Sequence, residues 1–370
     1  MSKREAVGLS KDDSLVIKGV AILAMMWNHC FLEGRFESFD LTFAPFGVAR
    51  VTQMATFLKI CVSLFAFVSG YGLYYSLRSL ERRQAISSPR AITTWYKTRY
   101  VKSFADFWLI VVLAWVVCQL LDGHTQATYF DDSVLGGIAF MVMQVLGLSS
   151  LFGAPMLVAT WWYMSAALIF ILLAPVIYVS LRRFGSVFCI GAVLVVARMT
   201  GGFPGGTNWL SFLPAFIVGM ACADSDLLRR IRAYADSSPA RTAAVIGGLL
   251  VASLICYKLR QVLPNKSFWD LHWGLFVPIY IALIMLTVAR IPGVKDILHF
   301  LGAWSADVFL IHSFFRAHYA IEFVYAPGNF MLVMVRLLAL GLVATALFRA
   351  FKRLIRYDSL TSALLEKCAE

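Results

Sequence analysis

LVIKGVAILAMMWNHCFLE, residues 15–33, is the stretch whose reading decides the fold. Almost every position is apolar, and its length matches the roughly 20 residues a helix needs to cross a hydrocarbon core about 30 Å thick. Two ionisable side chains interrupt it, Lys18 and His29. On an α-helix their spacing closes within about 20° of three full turns, so both lie on one face, about 16 Å apart along the axis. An ionisable group in hydrocarbon costs about 2.5 kcal/mol or more on insertion scales, so a buried pair of them marks a functional site.

The rest of the chain has the same character. It is 60% hydrophobic with mean hydropathy +0.75 and 15% charged residues over 370 positions, more apolar than one soluble core of that size requires. The expected class is therefore all-α, a polytopic membrane helical bundle. The net charge of +12 sits in short basic blocks between apolar runs, as insertion orientation requires, and this distribution argues against nucleic acid as a partner. The 7 cysteines are scattered singly, mostly inside apolar runs, with neither pairing nor metal-ligand spacing. They read as small buried hydrophobes, and no metal is expected. The charged N-terminus leads into a long apolar run without a small-residue cleavage site, which fits an uncleaved first span.

Apolar runs of spanning or near-spanning length occupy 15–33, 54–77, 103–121, 160–181, 185–200, 208–223, 242–259, 270–289, 298–318 and 329–349. A further run, 134–152, would invert everything after it if it also crossed. With ten spans, 23 of the 33 basic residues face the cytoplasm, 6 face outward and 4 lie within spans. That asymmetry predicts about ten transmembrane helices, N-in and C-in, with 134–152 re-entrant or interfacial. The expected organisation is a cytoplasmic N-terminus over 1–14, a membrane domain over 15–349 and a cytoplasmic amphipathic tail over 350–370. The Gly-rich stretch Gly201–Gly206 lacks the lysine and hydroxyl of a phosphate loop and reads as an outer turn.

Counting from the cytoplasmic start of each span, His29 and His312 both fall about 21 Å in. Lys59, Arg198, His272, Arg316 and Arg336 fall in or near the outer third, and together these groups suggest an outward cavity. A histidine suits removal of a hydroxyl proton near neutral pH, because its unperturbed pKa is about 6.5. His29 is the candidate catalytic base. His312 has three roles open to it: sharing that work, orienting substrate, or bonding across helices. Asp307 lies about 140° around the helix from His312, so it reaches a neighbouring element instead. Arg99 and Lys102 adjoin on one helix face and suit a phosphate-bearing ligand, although the positive-inside rule places cations there without one. Trp161, Trp162 and Tyr163 read as an interfacial aromatic belt or, alternatively, as a stacking platform for a sugar.

Five stretches in order resemble the motifs of the acyltransferase 3 family. KGVAILAMMWNHC (18–30) resembles its first-helix arrangement of arginine, ten residues and histidine. FVSGY (67–71) is similar to its second-helix signature, with Ser69 at the serine. Arg99-Tyr-Val-Lys102 matches its basic pair before the third helix, Trp162-Tyr-Met-Ser165 its W-x-L-S stretch, and LGAWSADVFLIH (301–312) its penultimate-helix pattern ending in histidine. Lysine stands in place of arginine at 18 and 102, keeping charge but losing the guanidinium fork. Ala167 stands where many members carry glutamate.

The resemblance implies a membrane-bound O-acyltransferase, most simply an O-acetyltransferase of a bacterial cytoplasmic membrane. It would move an acyl group from acyl-CoA, a co-substrate rather than a bound cofactor, to a carbohydrate or lipid-linked glycan of the cell envelope. His29 would deprotonate the acceptor hydroxyl or carry the acyl group. Lys18, Arg99 and Lys102 would hold the donor phosphates. His312, Asp307, Arg316, Trp162 and Ser69 would support the acceptor site. A transporter or flippase of a glycolipid or amphipathic anion also explains the charges and would need Asp307 as its coupling residue. A non-enzymatic assembly subunit is the third class.

Overall fold

The computed structural model describes residues 8–130, 133–199, 208–262 and 274–369. Among them the chain is helical almost throughout, and the sheet content is one parallel pair, Leu41–Thr42 with Gly328–Asn329. Two compact units emerge: Met1–Ser79, Leu173–Ser305 and Pro327–Phe330 form the first, and Leu80–Leu172, Ala306–Ala326 and Met331–Glu370 form the second.

The first unit begins with α1, Lys11–Leu32, which starts on a capping box. The Ser10 hydroxyl accepts from the Asp13 N–H, and the Asp13 carboxylate accepts from the Ser10 N–H. Arg232 donates to the same carboxylate at 2.8 Å, closing the start of the helix into a fixed corner. α1 is apolar around most of its circumference and correspondingly interior, with 61% of its apolar window buried. α2 (Val48–Leu58) and α3 (Ile60–Arg82) follow as one apolar segment jointed at Lys59.

Later helices pack on these through glycines. A Cβ on Gly19 of α1 would sit 2.8 Å from the Leu298 carbonyl carbon, and one on Gly302 would sit 2.6 Å from the Leu15 carbonyl carbon. The two backbones therefore cross in reciprocal contact, each helix supplying the glycine that admits the other. Gly70 of α3 and Gly219 repeat the device, each facing the other helix's carbonyl at Phe216 and Phe67. The close approach gains dispersion contacts that larger side chains would hold apart.

In the second unit α4 (Pro89–Asp122) is capped by Ser88 and ends at Gly123, whose φ of 71° is the left-handed conformation that favours glycine. α5 (His124–Tyr129), α6 (Val134–Leu146) and α7 (Ser149–Phe152) follow. The 13 residues of α6 rise about 20 Å, short of the hydrocarbon core, and Gly147 at φ 75° turns the chain before α7. α8 (Trp162–Met199) belongs to the second unit only up to Leu172, and in its later part, counted with the first, it carries a break at Gly185, where φ 81° and ψ 167° interrupt the helix.

The remaining helices are α9 (Leu213–Asp224), α10 (Leu227–Ala235), α11 (Pro239–Val262), α12 (Val277–Leu286), α13 (Val294–Phe314), α14 (Ile321–Val324), α15 (Phe330–Leu354) and α16 (Tyr357–Ala369). Seven helices among the described residues are long and apolar enough to cross a membrane, or eight if the segments Trp209–Asp224 and Leu227–Ala235, bent by 63°, count as one span. Sequence reading expects ten. The expected spans 160–181 and 185–200 fall together in the 38 residues of α8, and Val277–Arg290 is a shorter apolar helix. Only 6% of the apolar window of Pro239–Leu259 is buried, so this helix turns its aliphatic side chains outward, as lipid contact demands. The chain is a multi-pass membrane protein. Gly201–Gly206, Lys266, His272 and the side chains of Arg198 and Arg260 lie outside the described residues.

Candidate active site

The first unit holds Lys18, His29 and Ser69. Lys18 and His29 are both half-buried on α1, while the residues between them are mostly fully buried. The two residues before His29 anchor its end of the helix: Trp27 Nε1 donates to the Val51 carbonyl at 3.3 Å, and Asn28 Nδ2 donates to the Ala55 carbonyl at 2.7 Å. Both acceptors lie on α2. Buried amide bonds of this kind are retained because breaking one strands a polar group in an apolar setting. His29 thus sits on a fixed segment and is itself half-buried rather than sealed in the core. Asn28 was not singled out by sequence reasoning, although an amide beside a histidine in an apolar run is itself a signal.

The FVSGY stretch divides its labour. Gly70 admits the backbone at Phe216, and Tyr71 is buried with its hydroxyl accepting from the Leu9 N–H at 3.2 Å, just ahead of the α1 cap. Ser69 is exposed between the buried Val68 and Gly70. Tyr71 therefore ties down the start of the helix that carries Lys18 and His29, while Gly70 packs α3 against the helix that holds Phe216.

The second unit holds Arg99, Lys102, Trp162, Asp307, His312 and Arg316. Arg99 is half-buried, with its guanidinium 5.9 Å from the ring centroid of Trp95 one turn earlier, and Lys102 is exposed one turn later. α16 packs beside this segment. Tyr357 Oη donates to the Ala105 carbonyl at 2.7 Å, and Lys352 bridges the carboxylates of Asp106 and Asp358. Burial pushes the Tyr357 phenol above its ordinary range.

His312 is fully buried on α13. Its Nδ1 lies 2.8 Å from the Phe309 carbonyl, which can only accept, so Nδ1 carries a proton. Thr160 Oγ1 donates to Ser313 Oγ at 3.1 Å, and Ser313 Oγ lies 3.2 Å from His312 Nε2. The Thr160 and Ser313 hydroxyls thus lead to the ring. Asp307 is buried and accepts from Arg349 Nε at 2.8 Å, so the neighbour it reaches is Arg349. Arg316 is buried in the π turn Phe315–Tyr319 that follows α13.

The aromatic-belt reading of Trp161 is corrected. That side chain is 1% exposed, donates through Nε1 to the Leu310 carbonyl at 2.9 Å, and packs edge-on against Phe107 and Phe314. Trp162 is also buried. Trp161 is a core anchor because its N–H and its ring both find partners inside the unit.

Residues 15–351 match the model of a family described as an acyltransferase domain, that of the acyltransferase 3 proteins. The chain belongs to this acyltransferase family. No curated protein and no solved structure matches it. Family membership covers nearly the whole chain and makes the membrane helices those of a membrane acyltransferase. Among the described residues no group of three or more His, Cys, Asp or Glu side chains is placed to hold a metal ion, and the cysteines are all free thiols.

Proposed function

We propose that this acyltransferase moves an acyl group, acetyl in the simplest case, from acyl-CoA on the cytoplasmic side to a hydroxyl of a carbohydrate or lipid-linked glycan of the cell envelope, in a bacterial cytoplasmic membrane. The observation that carries the proposal is His29: a half-buried histidine on an apolar helix, held by the Trp27 and Asn28 bonds to α2 and sharing a helix face with Lys18.

The chemistry is compact. His29 accepts the proton of the acceptor hydroxyl as its oxygen attacks the thioester carbonyl; the C–S bond breaks, and the proton leaves with the thiolate as free CoA thiol. Prior transfer of the acyl group to the ring nitrogen, with attack by the acceptor in a second step, meets the same balance. Lys18, Arg99 and Lys102 are the cations assigned to the donor phosphates. His312, with the Thr160 and Ser313 hydroxyls that lead to it, is assigned to the acceptor side together with Trp162, Asp307, Arg316 and Ser69.

The topology that goes with this reading has ten spans with both termini cytoplasmic. Seven long helices reach that number if α8 is two spans divided at Gly185 and both the bent pair and Val277–Arg290 also cross. α6 and α7 then lie re-entrant or in the outer interface. Transport is disfavoured because Asp307, the acidic residue a coupled transporter would use, is held in an ion pair with Arg349.

Membranes holding the protein, supplied with isotopically labelled acetyl-CoA, are expected to carry label into a surface glycan. Failure with acetyl-CoA and with longer acyl-CoA donors overturns the proposal.

A further inference from the structure

A cavity of about 430 Å³ in the first unit is lined by side chains of α1, α2 and α11, and it holds chemistry that the acyl-transfer reading does not use. Its volume falls within the roughly 300–1,000 Å³ of small-molecule sites. Trp27 and Tyr257 supply aromatic walls, Gln53 an amide, and Arg50 and Lys258 two cations. Among the described residues neither Arg50 nor Lys258 has an ion-pair partner.

Arg50 and Lys258 are exposed side chains lining one open cavity, so their like charges repel each other modestly and salt screens them. An anion placed between them removes that penalty. Aromatic faces beside an anion-binding pair match one ligand class well, since a sugar ring presents C–H groups to an aromatic face and hydroxyls to an amide. We infer that this cavity is a subsite for an acidic carbohydrate, in which Arg50 and Lys258 hold the anionic group of one sugar while Trp27 and Tyr257 pack against its ring.

The inference rests on the proposed acyl transfer and names the acceptor class. Trp27 precedes His29 by two residues, so the cavity lies within about 3 Å of His29 in depth along α1, though about 160° around the helix. A sugar held there lies on the other face of α1 from His29, so it is a remote unit of the acceptor, which must then be an oligosaccharide or polymer carrying acidic units. The Trp27 bond to the Val51 carbonyl fixes that wall in place.

Binding to the purified full-length protein in lipid nanodiscs tests this without any acyl donor. The probes are trigalacturonate, a phosphorylated trisaccharide and neutral maltotriose. One of the two anionic probes is expected to bind about tenfold more tightly than maltotriose, with the margin shrinking as salt screens the cations. Arg50→Gln with Lys258→Gln should erase the margin, whereas Arg50→Lys with Lys258→Arg should keep it, which separates lost charge from lost folding. Equal binding of all three probes, an undiminished margin in the charge-removed variant, or a tightly held anionic lipid that no probe displaces would overturn the inference. Labelled acyl transfer with no preference for acidic acceptors would likewise overturn the subsite while leaving the acyltransferase reading intact.

Discussion

Replacing Gly19 by alanine tests whether the α1–α13 crossing sets the position of the candidate base. The added Cβ would lie 2.8 Å from the Leu298 carbonyl carbon, with the carbonyl oxygen nearer still, where ordinary contact is 3.4–4 Å. Backbone cannot rotate aside as a side chain does, so the helices must part by roughly half an ångström or more in an interior that has no slack. Overpacking of this kind costs about 1–3 kcal/mol. The displacement also reaches Lys18 and His29 on the same helix, and a misplacement near 1 Å can cost about 100-fold in rate. Acyl transfer from labelled acetyl-CoA, with thermal unfolding in detergent, reads both effects. Gly302→Ala, facing the Leu15 carbonyl, forces the same separation, so the double variant should lose much less than the sum of the two single losses. Wild-type activity and stability in Gly19→Ala, or full additivity in the double variant, would refute the shared-crossing argument.

Asn28→Ala removes the donor to the Ala55 carbonyl and should cost about 1 kcal/mol in unfolding measurements, with a larger proportional loss of turnover than of donor affinity because His29 adjoins it. Arg349→Met strands the buried Asp307 carboxylate and should destabilise the protein by about 3 kcal/mol, whereas pairing it with Asp307→Leu should restore much of that; an unchanged melting temperature in Arg349→Met would discount the pair. Arg99→Ala should raise the KM for acyl-CoA more than it lowers kcat, and the reverse split would mark a structural role. Lys352→Met releases the bridges to Asp106 and Asp358 and should speed tryptic cleavage at Arg356, where α15 turns into α16; an unchanged cleavage rate would show that other contacts hold α16.

Much of this was legible in the order of residues because hydropathy and periodicity are local signals. The all-helical class, the segment that carries Lys18 and His29, and the family itself all follow from runs that can be read without knowing what packs against what. The number of spans was less legible: Arg182 and Arg183 divide 160–181 from 185–200 in the sequence, yet one helix covers both runs and is broken only at Gly185. Partners across the fold were not legible at all. Trp161 has the composition of an interfacial belt, yet its N–H finds the Leu310 carbonyl and its ring is buried. Asp307 was expected to reach a neighbour, but nothing in its own segment points to Arg349, 42 residues onward. Gly19 and Gly302 sit in unremarkable sequence, and their role exists only where the two helices cross.

The most direct test of the central claim is transfer of label from acetyl-CoA to cell-envelope glycan by membranes holding equal amounts of correctly inserted wild-type protein or His29→Ala. A general base contributes about 100- to 10,000-fold, so the variant should fall at least that far, with the label confined to the wild type. Retention of more than about a tenth of wild-type transfer would contradict the assignment of His29 as the group that moves the proton or carries the acyl chain.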